Sequence, residues 1–239
     1  LTSANGPVDW TVRGAPALLF EAVSGGELSL PKLTALTGRT ILSASGFGSV
    51  LDAPMLDRTT GPDSDFESAI NVASFSKLQV PLLAVLEHCN TTLEADSILA
   101  GGSLEIAETS SLKGVGTVAA NVLNRGAILL DRVPGNLVID GRLELASTSV
   151  ITPSLGLGGT RQEAGRIEVR GDATLNGALQ IALGSGYTPS AGEQFEVAVF
   201  SKPPTGAISQ VNDSALGASL KAELESLPAR WTIKILPRP

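Results

Sequence analysis

One phrase returns three times in the first third of the chain and restricts the fold more than any bulk property. It reads Glu27-Leu28-Ser29-Leu30-Pro31-Lys32-Leu33, then Val50-Leu51-Asp52-Ala53-Pro54-Met55-Leu56, then Lys77-Leu78-Gln79-Val80-Pro81-Leu82-Leu83, with the prolines 23 and 27 residues apart. A period of this size marks a chain that stacks one supersecondary unit on the next. Alignment on proline superposes Leu28, Leu51 and Leu78, then Leu30, Ala53 and Val80, then Leu33, Leu56 and Leu83. Within each phrase apolar and polar residues alternate, the period of a strand with one buried face. Proline offers no ladder donor, so it belongs at a strand end where the chain bends. A single coil is too thin to bury anything alone, and stacked neighbours complete its core.

The residues before each phrase repeat more loosely: Ala22-Val23-Ser24-Gly25-Gly26, Ser45-Gly46-Phe47-Gly48-Ser49 and Val72-Ala73-Ser74-Phe75-Ser76. Glycine supplies the positive φ of a tight corner. The polar insert from Asp57 to Ser68 reads as a loop leaving the stack. Further on, Gly102-Ser103-Leu104-Glu105-Ile106-Ala107 recurs in kind as Gly141-Arg142-Leu143-Glu144-Leu145-Ala146. Between them, Asn121, Asn124 and Gly126 have the spacing of a polar ladder carried on turns. Residues 152–164, with Pro153, Gly156, Gly158 and Gly159, read as a loop or a change of module. Beyond them Ile167, Val169, Leu175, Leu179, Ile181 and Leu183 alternate, then Phe195, Val197 and Val199, and finally Trp231, Ile233 and Ile235. Residues 213–226 have apolar spacing compatible with a short helix.

Composition agrees with many short strands joined by turns. The 239 residues include 26 Gly and 14 Pro, aromatics are 4%, and charged residues, at 17%, fall below the roughly 25% of ordinary soluble domains. The net charge of −7 repels phosphate backbones, and Lys and Arg form no basic run, which argues against nucleic acid. Cys89 is the single cysteine, so no intrachain disulfide can form, as is common in exported bacterial proteins. No apolar run reaches the roughly 18 residues of a membrane-spanning helix. The chain opens on Leu1 without a charged and then apolar leader, so a processed or excised segment is expected.

Two stretches carry a resemblance. Ile167-Glu168-Val169-Arg170-Gly171-Asp172-Ala173-Thr174-Leu175-Asn176-Gly177-Ala178-Leu179-Gln180-Ile181, with its continuation Gly186-Tyr187-Thr188-Pro189-Ser190-Ala191-Gly192-Glu193-Gln194-Phe195-Glu196-Val197, resembles a module at the ends of bacterial surface and autotransporter-like proteins. Gly114-Val115-Gly116-Thr117-Val118, running on through Asn121, Asn124 and Gly126 to Ile128, resembles the coil that precedes that module. The Leu-x-Leu-Pro-x-Leu phrase is similar to repeats in secreted bacterial proteins. Together these cover about three-quarters of the chain. The resemblance implies a right-handed parallel β-helix, exported and elongated, and points to no particular activity.

The candidates for chemistry are few. His88 and Cys89 are adjacent, and neighbours on a strand face opposite ways, so a small buried thiol is the plain reading and a Cys–His dyad the sharper one. Asp57, Asp63, Asp65 and Glu67 cluster in the insert, where hard oxygen ligands suit Ca²⁺ but lack the EF-hand spacing; a solvated acidic loop is the plainer reading. Glu105, Glu144, Glu168 and Arg170 occupy outward strand positions, where a polysaccharide lyase or hydrolase would place its acid and base, or where charges merely keep a strand soluble. Trp10 and Tyr187 are the aromatics available as sugar platforms, with Trp231 patterned as core. Asn90-Thr91-Thr92 and Asn212-Asp213-Ser214 are sequons whose meaning depends on a eukaryotic secretory route.

The expectation is an all-β chain: an N-terminal cap over 1–20, a right-handed parallel β-helix (β-solenoid) over 21–151, and a C-terminal β module over 152–239 that completes and caps the solenoid, with eight to ten coils in all. The expected role is a non-catalytic extracellular or cell-surface structural or adhesive segment of a larger protein, needing no cofactor unless Ca²⁺ binds. Polysaccharide or another surface protein is the expected partner. A carbohydrate-binding module and a β-helical polysaccharide lyase or hydrolase are the alternatives.

Overall fold

The computed structural model describes residues 3–5, 17–62, 68–158 and 161–239. The expected N-terminal cap therefore lies largely outside the described residues. From Leu18 onward the described chain is all-β, apart from one 3₁₀ turn at Ser214–Leu216. The strands form three parallel ladders, and the chain visits each ladder once per coil.

The first ladder stacks Leu18–Val23, Thr40–Ser45, Ser68–Ala73, Cys89–Leu93, Ser111–Gly114, Ala127–Leu130, the start of Val150–Gly158, Ala178–Gln180 and Gln210–Asn212. The second begins Glu27–Ser29, Val50–Asp52, Lys77–Val80 and runs through Gly135–Ile139 and Arg161–Val169 to Gln194–Phe200. The third runs from Ser3–Asn5 and Ala35–Thr37 to Ala173–Leu175 and Thr205–Gly206. Among the described residues, this makes eight coils from Leu18 to Gly206 and a ninth begun at Gln210. The ladders run on past residue 152 without a break.

Parallel register puts like positions above one another, so the interior is built of columns. On the second ladder the column is Leu28, Leu51, Leu78, Leu99, Val118, Ile139, Val169 and Phe200. On the first it is Phe20, Leu42, Ile70, Thr91, Leu112, Ile128, Ile151, Leu179 and Val211. The members between the ends are buried. The three prolines stand just past their strands, as their missing donor requires. Two residues later, Leu33, Leu56 and Leu83 each close the same turn by bonding back to Leu30, Ala53 and Val80.

The corners use polar residues that periodicity does not reveal. Ser49, Ser76 and Ser97 precede equivalent strands of the second ladder and are buried. Ser76 Oγ donates to Ala44 O and accepts from the Ala73 amide, so the hydroxyl satisfies backbone that the bend leaves unpaired. A second column, leading into the first ladder, reads Thr40, Ser68, Cys89 and Ser110, and further coils place Gly126, Ser149, Gly177 and Ser209 there. In these coils the residues are small, and at Gly177, whose φ is 76°, an added Cβ would lie 2.3 Å from Ser149 O.

Several sequence expectations need correction. The Asp57–Ser68 insert is not all loop, because Arg58–Thr60 is a strand of the third ladder and Thr59 fills its inner column. Residues 63–67 lie outside the described residues. Within 152–164 the chain forms an antiparallel hairpin, with Leu155 opposite Ala164 and Leu157 opposite Gln162. Asn124 sits inside the third column between Ile106 and Leu145, not on a turn. Glycine does not supply every corner: Gly46 and Gly48 have φ of 91° and 76°, but the next coil uses Ser74 and Phe75 at 57° and 61°. Within the helix-compatible stretch 213–226 only Ser214–Leu216 is helical, as a 3₁₀ turn. Its second half belongs to the strand Leu220–Leu227, which pairs antiparallel with Arg230–Pro237, and the latter pairs antiparallel with Gln194–Phe200. This hairpin covers the last coil, with Trp231 packed edge-on to Phe200 at 5.2 Å, so the second column ends on an aromatic lid.

No helix is long and apolar enough to cross a membrane among the described residues. Leu51→Ala should cost about 3 kcal/mol in urea unfolding, whereas Leu19→Ala, at a half-exposed outward position, should stay within about 0.5 kcal/mol. The hydroxyls of Thr59 and Thr91 lie inside the columns without a hydrogen-bond partner. Thr91→Val should therefore raise stability by about 1 kcal/mol, read as a higher urea midpoint at unchanged slope.

Candidate functional site

Of the proposed sugar platforms, Trp10 lies outside the described residues, and Tyr187 is tied into the fold. Its ring meets Phe195 edge-on at 6.1 Å, and its hydroxyl donates to Glu193. Burial, and then the Glu193 carboxylate, push its phenol well above the ordinary tyrosine value. Glu193 also accepts from the Ser190 amide and the Gln162 side chain. The Gly-Tyr-x-Pro-x-x-Gly-Glu turn is thus a closed hydrogen-bonded knot that joins the strand Gln194–Phe200 to the hairpin.

Of the proposed calcium ligands, Asp63, Asp65 and Glu67 lie outside the described residues. Asp57 is exposed beside Arg58 at 3.7 Å. No group of three or more His, Cys, Asp or Glu side chains suited to a metal occurs among the described residues. Cys89 is buried in the corner column between Ser68 and Ser110, where neighbouring coils place a hydroxyl. His88 has a φ of 47° and bends the chain just before it. Both sequon asparagines are engaged: Asn90 accepts from Ser111 of the next coil, and Asn212 accepts locally from the Ser214 amide.

The candidate carboxylates Glu105, Glu144 and Glu168 face outward, and each has an arginine. Glu105 bonds Arg125 at 2.8 Å, Glu144 bonds Arg142 at 3.3 Å, and Glu168 bonds Arg170 at 2.9 Å. Glu105 and Glu144 share the third ladder with Leu123 between them, so two strand spacings, about 9.5 Å, separate their backbones. Glu168 stands on the second ladder, so the three do not converge on one bond. Glu168 is held below the usual carboxylate range, first by its bond from Arg170 and then by the Asn136 amide, both outweighing burial. A general acid needs the opposite shift.

Two open concavities flank the hairpin of the seventh coil. One, of about 550 Å³, is lined by Asn136, Gln162, Glu163, Arg166 and Glu196, where Arg166 reaches Glu196 at 2.8 Å and Arg230 approaches it at 3.8 Å. The other, of about 410 Å³, is lined by Arg132, Val133, Leu157, Ser185 and Tyr187. They offer paired charges and amides, and the one hydroxyl–carboxylate pair at their rim, Tyr187 with Glu193, is the bond that ties the turn together.

One surface feature escaped sequence reasoning. Phe47 is 82% exposed and Phe75 is 55% exposed, and their rings lie 6.0 Å apart on corners of successive coils. The signal was there: both aromatics sit at the centre of the loose repeat, flanked by Gly46 and Gly48 or by Ser74 and Ser76. No protein-family model matches the chain, and no curated protein is similar to it.

The charge pairs predict a pH dependence. Because Glu168 has a lowered pKa in the fold, its contribution is complete above 4.5, the unfolded value, and is lost as the pH falls through the folded value. The partly exposed pair should make Glu168→Gln less stable at pH 7 by about 0.5 kcal/mol. That gap in urea midpoint should close as the pH is taken well below 4.5.

Proposed function

We propose that this chain is a non-catalytic structural and adhesive segment of a larger extracellular or cell-surface protein. The observation that supports this reading is the continuity of the three ladders, in which each coil is hydrogen-bonded to the next from Leu18 to Gly206. Such a stack holds its ends at a fixed separation, and a protease would have to open paired backbone to cut it. Glu105, Glu144 and Glu168 are each engaged with an arginine, which favours a scaffold over a lyase or hydrolase.

A carbohydrate-binding role is the second reading, favoured by the exposed ring faces of Phe47 and Phe75, which offer apolar area to sugar rings. Purified protein should survive a broad-specificity protease at doses that destroy the urea-unfolded chain, and should release no sugar from a panel of polysaccharides. Polysaccharide turnover that disappears in Glu105→Gln or Glu144→Gln would overturn the scaffold reading. Saturable binding on a glycan array, lost in the Phe47→Ala/Phe75→Ala double variant, would replace it with the second.

A further inference from the structure

The lid covers one ladder of three. Arg230–Pro237 pairs with Gln194–Phe200 on the second ladder, whereas the last strands of the other two, Gln210–Asn212 and Thr205–Gly206, carry no further strand among the described residues. Between this end of the stack and the outer strand of the lid, Leu220–Leu227, lies a groove of about 560 Å³. Leu175, Ile208 and Val211 form one wall, and Ala222, Leu224 and Trp231 the other. The first-ladder column, which runs buried through seven coils, thus ends on a half-buried Val211 facing this groove.

The backbone of the lid strand is aimed the same way. Residues Ala222, Leu224 and Ser226 stand opposite Ile235, Ile233 and Trp231. Ile235 spends its amide and carbonyl on Glu193 and Gly192, away from the lid strand, and the Ala222 amide donates to the Asp213 carboxylate instead of to Ile235. In an antiparallel ladder, residues two apart direct their backbone groups to the same side. Leu224 and Ser226 therefore present amide and carbonyl along the same edge as Ala222, and that edge pairs with no strand among the described residues. Their side chains share a face with the buried Ile233 and Trp231, so apolar contact and free backbone meet in one groove.

We propose that this groove accepts an extended segment of a partner polypeptide, which adds to the edge at Leu224 and Ser226 and sets an apolar side chain at every second position against Val211 and Ile208. Backbone pairing would supply affinity, and the alternating pockets selectivity. A second copy stacking a whole coil does not fit, because the lid already covers the second ladder. A single strand does fit.

The test uses a synthetic peptide with the sequence of the chain's own coil strand, Asn176–Leu183, added to the whole protein in a Trp10→Phe background that leaves Trp231 as the one indole. Hydrogen exchange at the Leu224 and Ser226 amides should slow at least tenfold and saturably, with a matching change in Trp231 emission. Ser226→Pro removes an edge donor that the hairpin itself does not use, so it should weaken binding at least tenfold while leaving the near-ultraviolet dichroism of Trp231 in place. Val211→Glu, on the opposite wall, should do the same, so the result does not depend on one variant folding. Unchanged exchange at millimolar peptide, or equal binding by both variants, would overturn the proposal. So would protection that appears without peptide as protein concentration rises, since the occupant would then be a second copy.

Discussion

Everything in this molecule depends on the backbone pairing of each coil with the next. A parallel ladder fixes the rise at about 4.8 Å, and at that spacing side chains of successive coils must touch. The chain therefore has to repeat not a sequence but a pattern of sizes: large and aliphatic where Leu51 stands, small where Ser68, Cys89 and Gly177 stand. At Gly177, where φ is positive, even a Cβ would press on the carbonyl of the neighbouring coil, 2.3 Å from Ser149 O. The columns tolerate chemistry better than they tolerate volume. Thr91 and Asn124 sit where neighbours are aliphatic, and Cys89 sits where neighbours are serine.

Much of this was legible from the residues. The stacking of Leu28, Leu51 and Leu78 followed from aligning three prolines, and the recurrence of Leu104-x-Ile106 as Leu143-x-Leu145 followed from alternation. The readings that failed did so for separate reasons, the first being a polar residue in an inward position. Arg58-Thr59-Thr60 carries no aliphatic side chain, so a strand there looked like loop, although register leaves Thr59 nowhere but the core. The stretch 220–227 has leucines at both helical and strand spacing, and the edge of Arg230–Pro237 decided between them. Gly156 and Gly158 looked like flexibility, and they lie in a hairpin whose partner strand was read as part of the same loop.

Function was harder to read, for a physical reason. A solenoid presents its outward residues in rows, and a row of alternating Glu and Arg looks alike whether it is catalytic or merely soluble. Only pairing distances separate the two, and these put Glu105, Glu144 and Glu168 each against an arginine. Tyr187 was noticed for its ring and turned out to matter for its hydroxyl, which locks the turn on Glu193. The exposed Phe47–Phe75 pair went unnoticed because single phenylalanines between glycines resemble ordinary corner punctuation. Their proximity exists only once two coils are stacked.

The hairpin that closes the last coil is anchored to one ladder and to nothing that depends on how many coils precede it. Coil length is equally unconstrained, since Ser111 to Ala127 closes in 16 residues and Ala178 to Gln210 in 32. Such a body is a ruler with movable graduations. Deleting or duplicating one complete winding would shift the far end by a single strand spacing, about 4.8 Å, while both terminal surfaces kept their form. Reach, in a protein of this kind, is a quantity that gene rearrangement can adjust in equal steps.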